Sequence, residues 1–110
     1  MEVVVTMDIR YGAVKHDGAT MTAGSENWSS TRTGPGWYRI SFNPQFEQTP
    51  VVVAAGNSGG AAGVHADDNV VCVRNASTAQ VEISTMDVAS RGQVDEGTYD
   101  NASFSFIAIG

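Results

Sequence analysis

Apolar and polar residues alternate with a period of two along much of this chain, and no i, i+3, i+4, i+7 apolar pattern lasts three helical turns. The segment Trp37 to Phe42 sets Trp37, Arg39 and Ser41 against Tyr38, Ile40 and Phe42, which predicts a strand with the second set facing the core. Gln80 to Met86 alternates in the same way, with Val81, Ile83 and Thr85 against Gln80, Glu82 and Ser84. Further strands are predicted over Glu2 to Met7, Tyr11 to Lys15, Asn27 to Thr33, Asn69 to Arg74 and the closing Phe104 to Ile109. Val51 to Ala55 has no polar break, so it is expected to be a central strand buried on both faces, within a sandwich or at a subunit contact. The last strand runs to Gly110, which places the C-terminus in the core.

Turn signals separate these runs. His16-Asp17-Gly18 and Gly34-Pro35-Gly36 predict tight connections, and Asn43 to Pro50 an aromatic and proline-containing loop. Gly56 to Gly63 and Ala89 to Asn101 predict longer loops, the second carrying most of the remaining charge. Roughly seven to nine short strands with such punctuation predict an all-β antiparallel sandwich, jelly-roll-like or similar. A chain of 110 residues has room for one domain, residues 1–110, because a second core needs about a hundred more.

Composition narrows the function classes. A formal charge of −6 disfavours a nucleic-acid partner and an anionic membrane surface, both of which reward Lys and Arg. No window reaches the roughly 20 apolar residues of a membrane-spanning helix. The start MEVVVTMDIR has neither a basic n-region nor a long apolar h-region, so no signal peptide is visible and synthesis in a cytoplasm is expected. The single cysteine, Cys72, excludes an intramolecular disulfide and reads as a small buried hydrophobe in VVCVR.

No constellation in the sequence predicts catalysis. Gly56-Asn57-Ser58-Gly59-Gly60 matches G-x-S-x-G after an apolar strand, yet Ala61-Ala62-Gly63-Val64-His65 is too short and glycine-rich for the helix a nucleophile elbow requires. His65, Asp67 and Asp68 also fall within one loop, so a plain inter-strand turn is the better reading. Neither that loop nor Asp95-Glu96 has the spacing of a calcium loop, and no metal or other cofactor is expected. His16 reads as a turn residue. The three Asn-x-Ser sequons at Asn27, Asn75 and Asn101 are expected to carry no glycan. Trp28 and Trp37 flank the Gly-Pro-Gly turn, and each could serve either as a stacking platform for a sugar ring or as a packing residue.

Gly36 to Phe42, then Phe46 and Pro50-Val51-Val52, resemble the H-type lectin pattern, in which a strand ending in Phe precedes a Phe- and Pro-containing loop and an apolar strand. Phe104-Ser105-Phe106-Ile107-Ala108-Ile109-Gly110 is similar to that family's closing strand, with Phe106 or Ile107 where the family carries Trp. The same skeleton looks like the C-terminal modules of phage tail fibres and bacterial collagen-like proteins. The resemblance spans residues 34–110 and rests on core and turn positions. It implies a sandwich that assembles as a homotrimer. A trimer would also bury the surplus apolar surface of Val51 to Ala55 and of the last strand. The function expected is a non-enzymatic carbohydrate- or receptor-binding module at a cell surface or a phage-like fibre tip. Trp28, His65, Asp67, Asp68, Arg91, Tyr99 and Asp100 are its candidate loop contacts. The alternative is a structural module that nucleates or caps a trimeric fibre and binds nothing small.

Overall fold

Aromatic, β-branched and alanine residues recur at alternate positions, and each such run becomes one strand. A computed structural model of the chain describes residues 7–22, 24–57, 69–87, 98–99 and 102–110. The strands are β1 (Ile9–Val14), β2 (Thr20–Thr22), β3 (Trp28–Gly34), β4 (Trp37–Phe42), β5 (Val51–Gly56), β6 (Asn69–Arg74), β7 (Gln80–Asp87), β8 (Thr98–Tyr99) and β9 (Phe104–Ile109). They form two sheets, with every pairing antiparallel. The first sheet has the order β2-β1-β9-β5; the second has β3-β4-β7-β6, with β8 added to the far end of β7. The described residues contain no helix. The fold is an antiparallel β-sandwich.

The two sheets meet through the residues that alternation selects. Tyr38, Ile40 and Phe42 of β4 are buried against Phe104, Phe106 and Ala108 of β9, with Val81 and Ile83 beside them. Tyr38 and Phe104 lie edge to face at 5.1 Å, a geometry that sets the positive ring edge on the negative ring face. The Tyr38 hydroxyl donates to the His16 carbonyl at 2.7 Å, so the phenol is satisfied where it emerges beneath the turn after β1. That turn contains His16, as its sequence predicts. At the Gly34-Pro35-Gly36 hairpin, Gly36 has φ 69°, a left-handed conformation that suits glycine after proline.

Several expectations are corrected. β5 is an edge strand and its apolar run is not buried on both faces: Val51 and Val53 are 68% and 59% exposed, while Val52 and Ala54 pack inward. Gly110 is exposed, and the chain end is held by backbone pairing, through Asp8 N–H to Gly110 O and Gly110 N–H to Asp8 O, both at 2.9 Å. Cys72 is half-buried because it stands opposite Ser84, on the outward side of the second sheet. Of the strand expected over Glu2 to Met7, residues 1–6 lie outside the described residues, and Met7 and Asp8 precede β1 without strand structure.

Phe104 is fully buried at the centre of the inter-sheet contact, so Phe104→Ala removes a ring that its neighbours cannot replace. The expected loss is about 3–5 kcal/mol of folding stability, read as a lower urea midpoint at unchanged slope.

Candidate functional site

The outer face of the first sheet is where the molecule departs most from an ordinary sandwich. Strand register brings outward residues into rows across β1, β9 and β5: Ile9, Ile109 and Val51 in one, Tyr11, Ile107 and Val53 in the next. A third row holds Ala13, Ser105 and Ala55. None of these nine residues is charged. Ile9 is 44%, Tyr11 49% and Ile107 36% exposed. With Val51 and Val53 they make a contiguous apolar patch on the order of 500 Å², near the upper end of what monomers expose (about 300–600 Å²).

A cleft of mixed polar and apolar lining adjoins this face at one end of the sandwich. Arg10 points into the sandwich from β1 and is almost completely buried. Its NH1 donates to the carbonyls of Asn27 and Pro44, at 2.7 and 2.6 Å. Nε and NH2 grip both oxygens of Asp8, at 3.1 and 2.8 Å. The guanidinium also lies 4.2 Å from the centroid of the Phe46 ring, which stands edge to face with Phe42. A buried charge is tolerable only when it is satisfied this thoroughly. Arg10 therefore plugs the end of the core and ties β1 to two loops. Above it opens a cleft of about 850 Å³, lined by the polar Asp8, Asn27, Gln45, Glu47 and Gln48 and by the apolar Met7, Pro44 and Ile109. Its acidic and amide groups can accept and donate hydrogen bonds to a hydroxyl-rich ligand.

The hydrogen bonds from Arg10, and after them its charge, hold the Asp8 carboxyl below the usual carboxylate range. Asp8 remains 46% exposed, so solvent screens the pair.

The candidate residues named from sequence are distributed unevenly. Trp28 is the first residue of β3 and packs between the sheets, with its ring edge-on to Phe106 at 4.8 Å and its indole N–H donating to Ser25 O at 2.8 Å. Gly12, on the inner side of β1, makes room for it, because a Cβ there would collide with the Trp28 ring. The Trp28 indole is thus engaged in packing. Tyr99 lies in β8, its backbone opposite Met86. His65, Asp67, Asp68, Arg91 and Asp100 lie outside the described residues, as does Ser58 of the G-x-S-x-G segment. Sequence reasoning missed Asp8 and Arg10. Their one signal was an arginine at the inward parity of an otherwise apolar strand, which alternation assigns to solvent. Among the described residues no three His, Cys, Asp or Glu side chains cluster as metal ligands would.

Compared with protein-family models and with curated proteins, the chain matches none. The geometry defines a class nonetheless: a β-sandwich with one apolar outer sheet face and a cleft of mixed lining beside it.

Two outcomes follow for this region. Gly12→Ala should displace the Trp28 ring and destabilise the fold by about 1–3 kcal/mol, with a shifted tryptophan emission maximum as the check. The second concerns acid. A carboxyl whose folded pKa is depressed contributes stability above its unfolded value, and that contribution fades as pH falls through the lower folded value. Urea midpoints measured from about pH 5 to pH 2 should therefore fall less steeply in Asp8→Asn than in the wild type.

Proposed function

We propose that this chain is a non-enzymatic binding module that works as a homotrimer, presenting its loops to a cell-surface glycan or other receptor at a cell surface or a phage-like fibre tip. The single observation that carries the proposal is the uncharged apolar face of β1, β9 and β5. A second and third copy would cover it, and the patch of about 500 Å² would supply more than half of the roughly 800 Å² per partner that stable complexes bury. Self-association also suits a face with no charge to repel its own copy, in a chain of net charge −6. Three copies give three loop sets, and weak single-site affinities gain through avidity. The resemblance to H-type lectins and to fibre-tip modules supports the same assembly.

The packing of Trp28 into the core favours a second reading, a structural module that nucleates or caps a trimeric fibre without binding a small ligand. A glycan array probed with the intact oligomer separates the two. Binding to a defined glycan supports the first reading, and silence across sialylated, fucosylated, galactosylated and bacterial polysaccharides supports the second.

Assembly is checked by light scattering coupled to gel filtration. The wild type should elute at three times the chain mass. Ile107→Glu, which places a charge at the centre of the apolar face, should give a monomer with an unchanged far-ultraviolet circular dichroism spectrum. A wild-type monomer at micromolar concentration would defeat the proposal. The non-enzymatic part is checked with a fluorophosphonate probe, which should leave Ser58 unlabelled.

A further inference from the structure

The outer face of the second sheet has the opposite character to that of the first. Register sets Thr31, Arg39, Glu82 and Arg74 side by side in one row across β3, β4, β7 and β6. The neighbouring row holds Trp37, Ser84 and Cys72, and the row on the other side Ser29, Ser41 and Gln80. Arg39 stands two residues from Trp37 on the same strand and the same face. Arg74 reaches across β7, donating Nε to Ser84 Oγ at 2.8 Å, and sets its guanidinium 5.4 Å from the centroid of the Trp37 ring. One arginine thus lies against a half-buried tryptophan, and a second stands two residues along the same strand face.

Glu82 is directly opposite both arginines, a placement that ordinarily yields cross-strand ion pairs. Neither pair forms. Glu82 Oε2 accepts instead from Asn75 Nδ2 at 3.1 Å, and the ion pair among the described residues is that of Arg10 with Asp8. Arg39 Nε is buried and has no partner among the described residues. A buried guanidinium N–H left unsatisfied is costly, and such groups in native folds call for an explanation. Enclosed as it is, Nε cannot itself meet a ligand; what a ligand anion can reach is the remainder of the half-buried Arg39 side chain, whose charge no carboxylate among the described residues neutralises. Guanidinium forks recognise carboxylate and sulfate in a planar, bidentate manner, and beside an aromatic surface they do so with part of the site already desolvated.

We infer that Arg39, Arg74 and Trp37 form a binding site for an anionic group, the carboxylate or sulfate of an acidic saccharide. The guanidinium groups hold the anion, the half-buried Trp37 lies beside it as an apolar neighbour of the sugar, and Thr31, Ser29 and Gln80 offer hydrogen bonds to its hydroxyls. Overall charge sharpens the choice. A net −6 repels polyanions at long range, and Glu82 stands between the arginines, so a singly charged sugar suits the site better than a polymer of phosphates. Naming a saccharide rests on the receptor-binding reading, whereas the anion site rests on the arginines alone. The site lies on the sheet opposite the apolar face, so assembly through that face leaves it open to a ligand.

The test is a titration of the full isotopically labelled chain, followed by nuclear magnetic resonance. The ligands are N-acetylneuraminic acid, galactose 6-sulfate, neutral galactose and inorganic sulfate. The expected result is saturable shifts at the Trp37 indole and at Arg39 and Arg74 Nε with one acidic sugar, and none with galactose. Arg39→Ala should weaken that binding by about tenfold or more. Arg39→Lys, which keeps the charge and loses the fork, should retain the fold and recover only part of the affinity. Shifts confined to other residues, an equal response to galactose, unchanged affinity in Arg39→Ala or no response to any acidic ligand would each overturn the site. No response to any acidic ligand together with galactose binding elsewhere would overturn the site while leaving the receptor reading intact. Inorganic sulfate binding as tightly as either acidic sugar would keep the anion site and overturn the saccharide.

Discussion

β9 is held by two ladders at once, and both the outer face of its sheet and half of the core depend on that position. Its six residues pair with β1 on one side and β5 on the other. Alternation then sends Phe104, Phe106 and Ala108 inward and Ser105, Ile107 and Ile109 outward. Phe104 meets Tyr38 of β4 and Phe106 meets Trp28 of β3, so one strand anchors two strands of the opposite sheet. A slip of one residue would exchange the two sets and bring Ile107 and Ile109 into a core shaped for phenyl rings. The register is thus fixed by aromatic geometry more than by hydrogen bonds, which any register would supply.

Around this strand the molecule separates three environments. Between the sheets lies an aromatic and aliphatic core whose open end is plugged by Arg10, a charge made tolerable by two carbonyls, a carboxylate and the Phe46 ring. Outside the first sheet lies an apolar face without charge, and outside the second a row of threonine, arginine, glutamate and arginine beside Trp37. Under the proposal made above, such a division would let a small domain associate through one sheet and meet solvent and ligands through the other. The edges of the sandwich need not change for either role.

Much of this architecture was legible in the sequence. The bounds of β4 and β6 follow the alternating runs residue for residue, and Tyr38, Ile40 and Phe42 face the core as their parity requires. What misled the reading was apolar sequence on the outer face of a sheet. Val51 to Ala55 has no polar break, which reads as burial on both faces, yet β5 lies at an edge with Val51 and Val53 turned outward. β1 carries the same feature. Ile9 and Tyr11 should seek the interior by composition, but they point out and Arg10 points in. Hydropathy carries no sign that a charged side chain will find four hydrogen bonds inside. Nor could it tell a stacking tryptophan from a packing one. That distinction lay in Gly12, a distant glycine whose missing side chain admits the Trp28 ring.

The central claim is that the apolar face exists to meet other copies of this chain. Methyl resonances provide the most direct measurement, using an oligomer mixed from differently labelled protomers so that only contacts between protomers give cross-peaks. The account predicts intermolecular cross-peaks from Ile9, Val51, Val53, Ile107 and Ile109, with none from the buried Val81 and Ile83. Those five methyl-bearing residues remaining open to a soluble paramagnetic probe at high concentration, with no intermolecular contact, would contradict it.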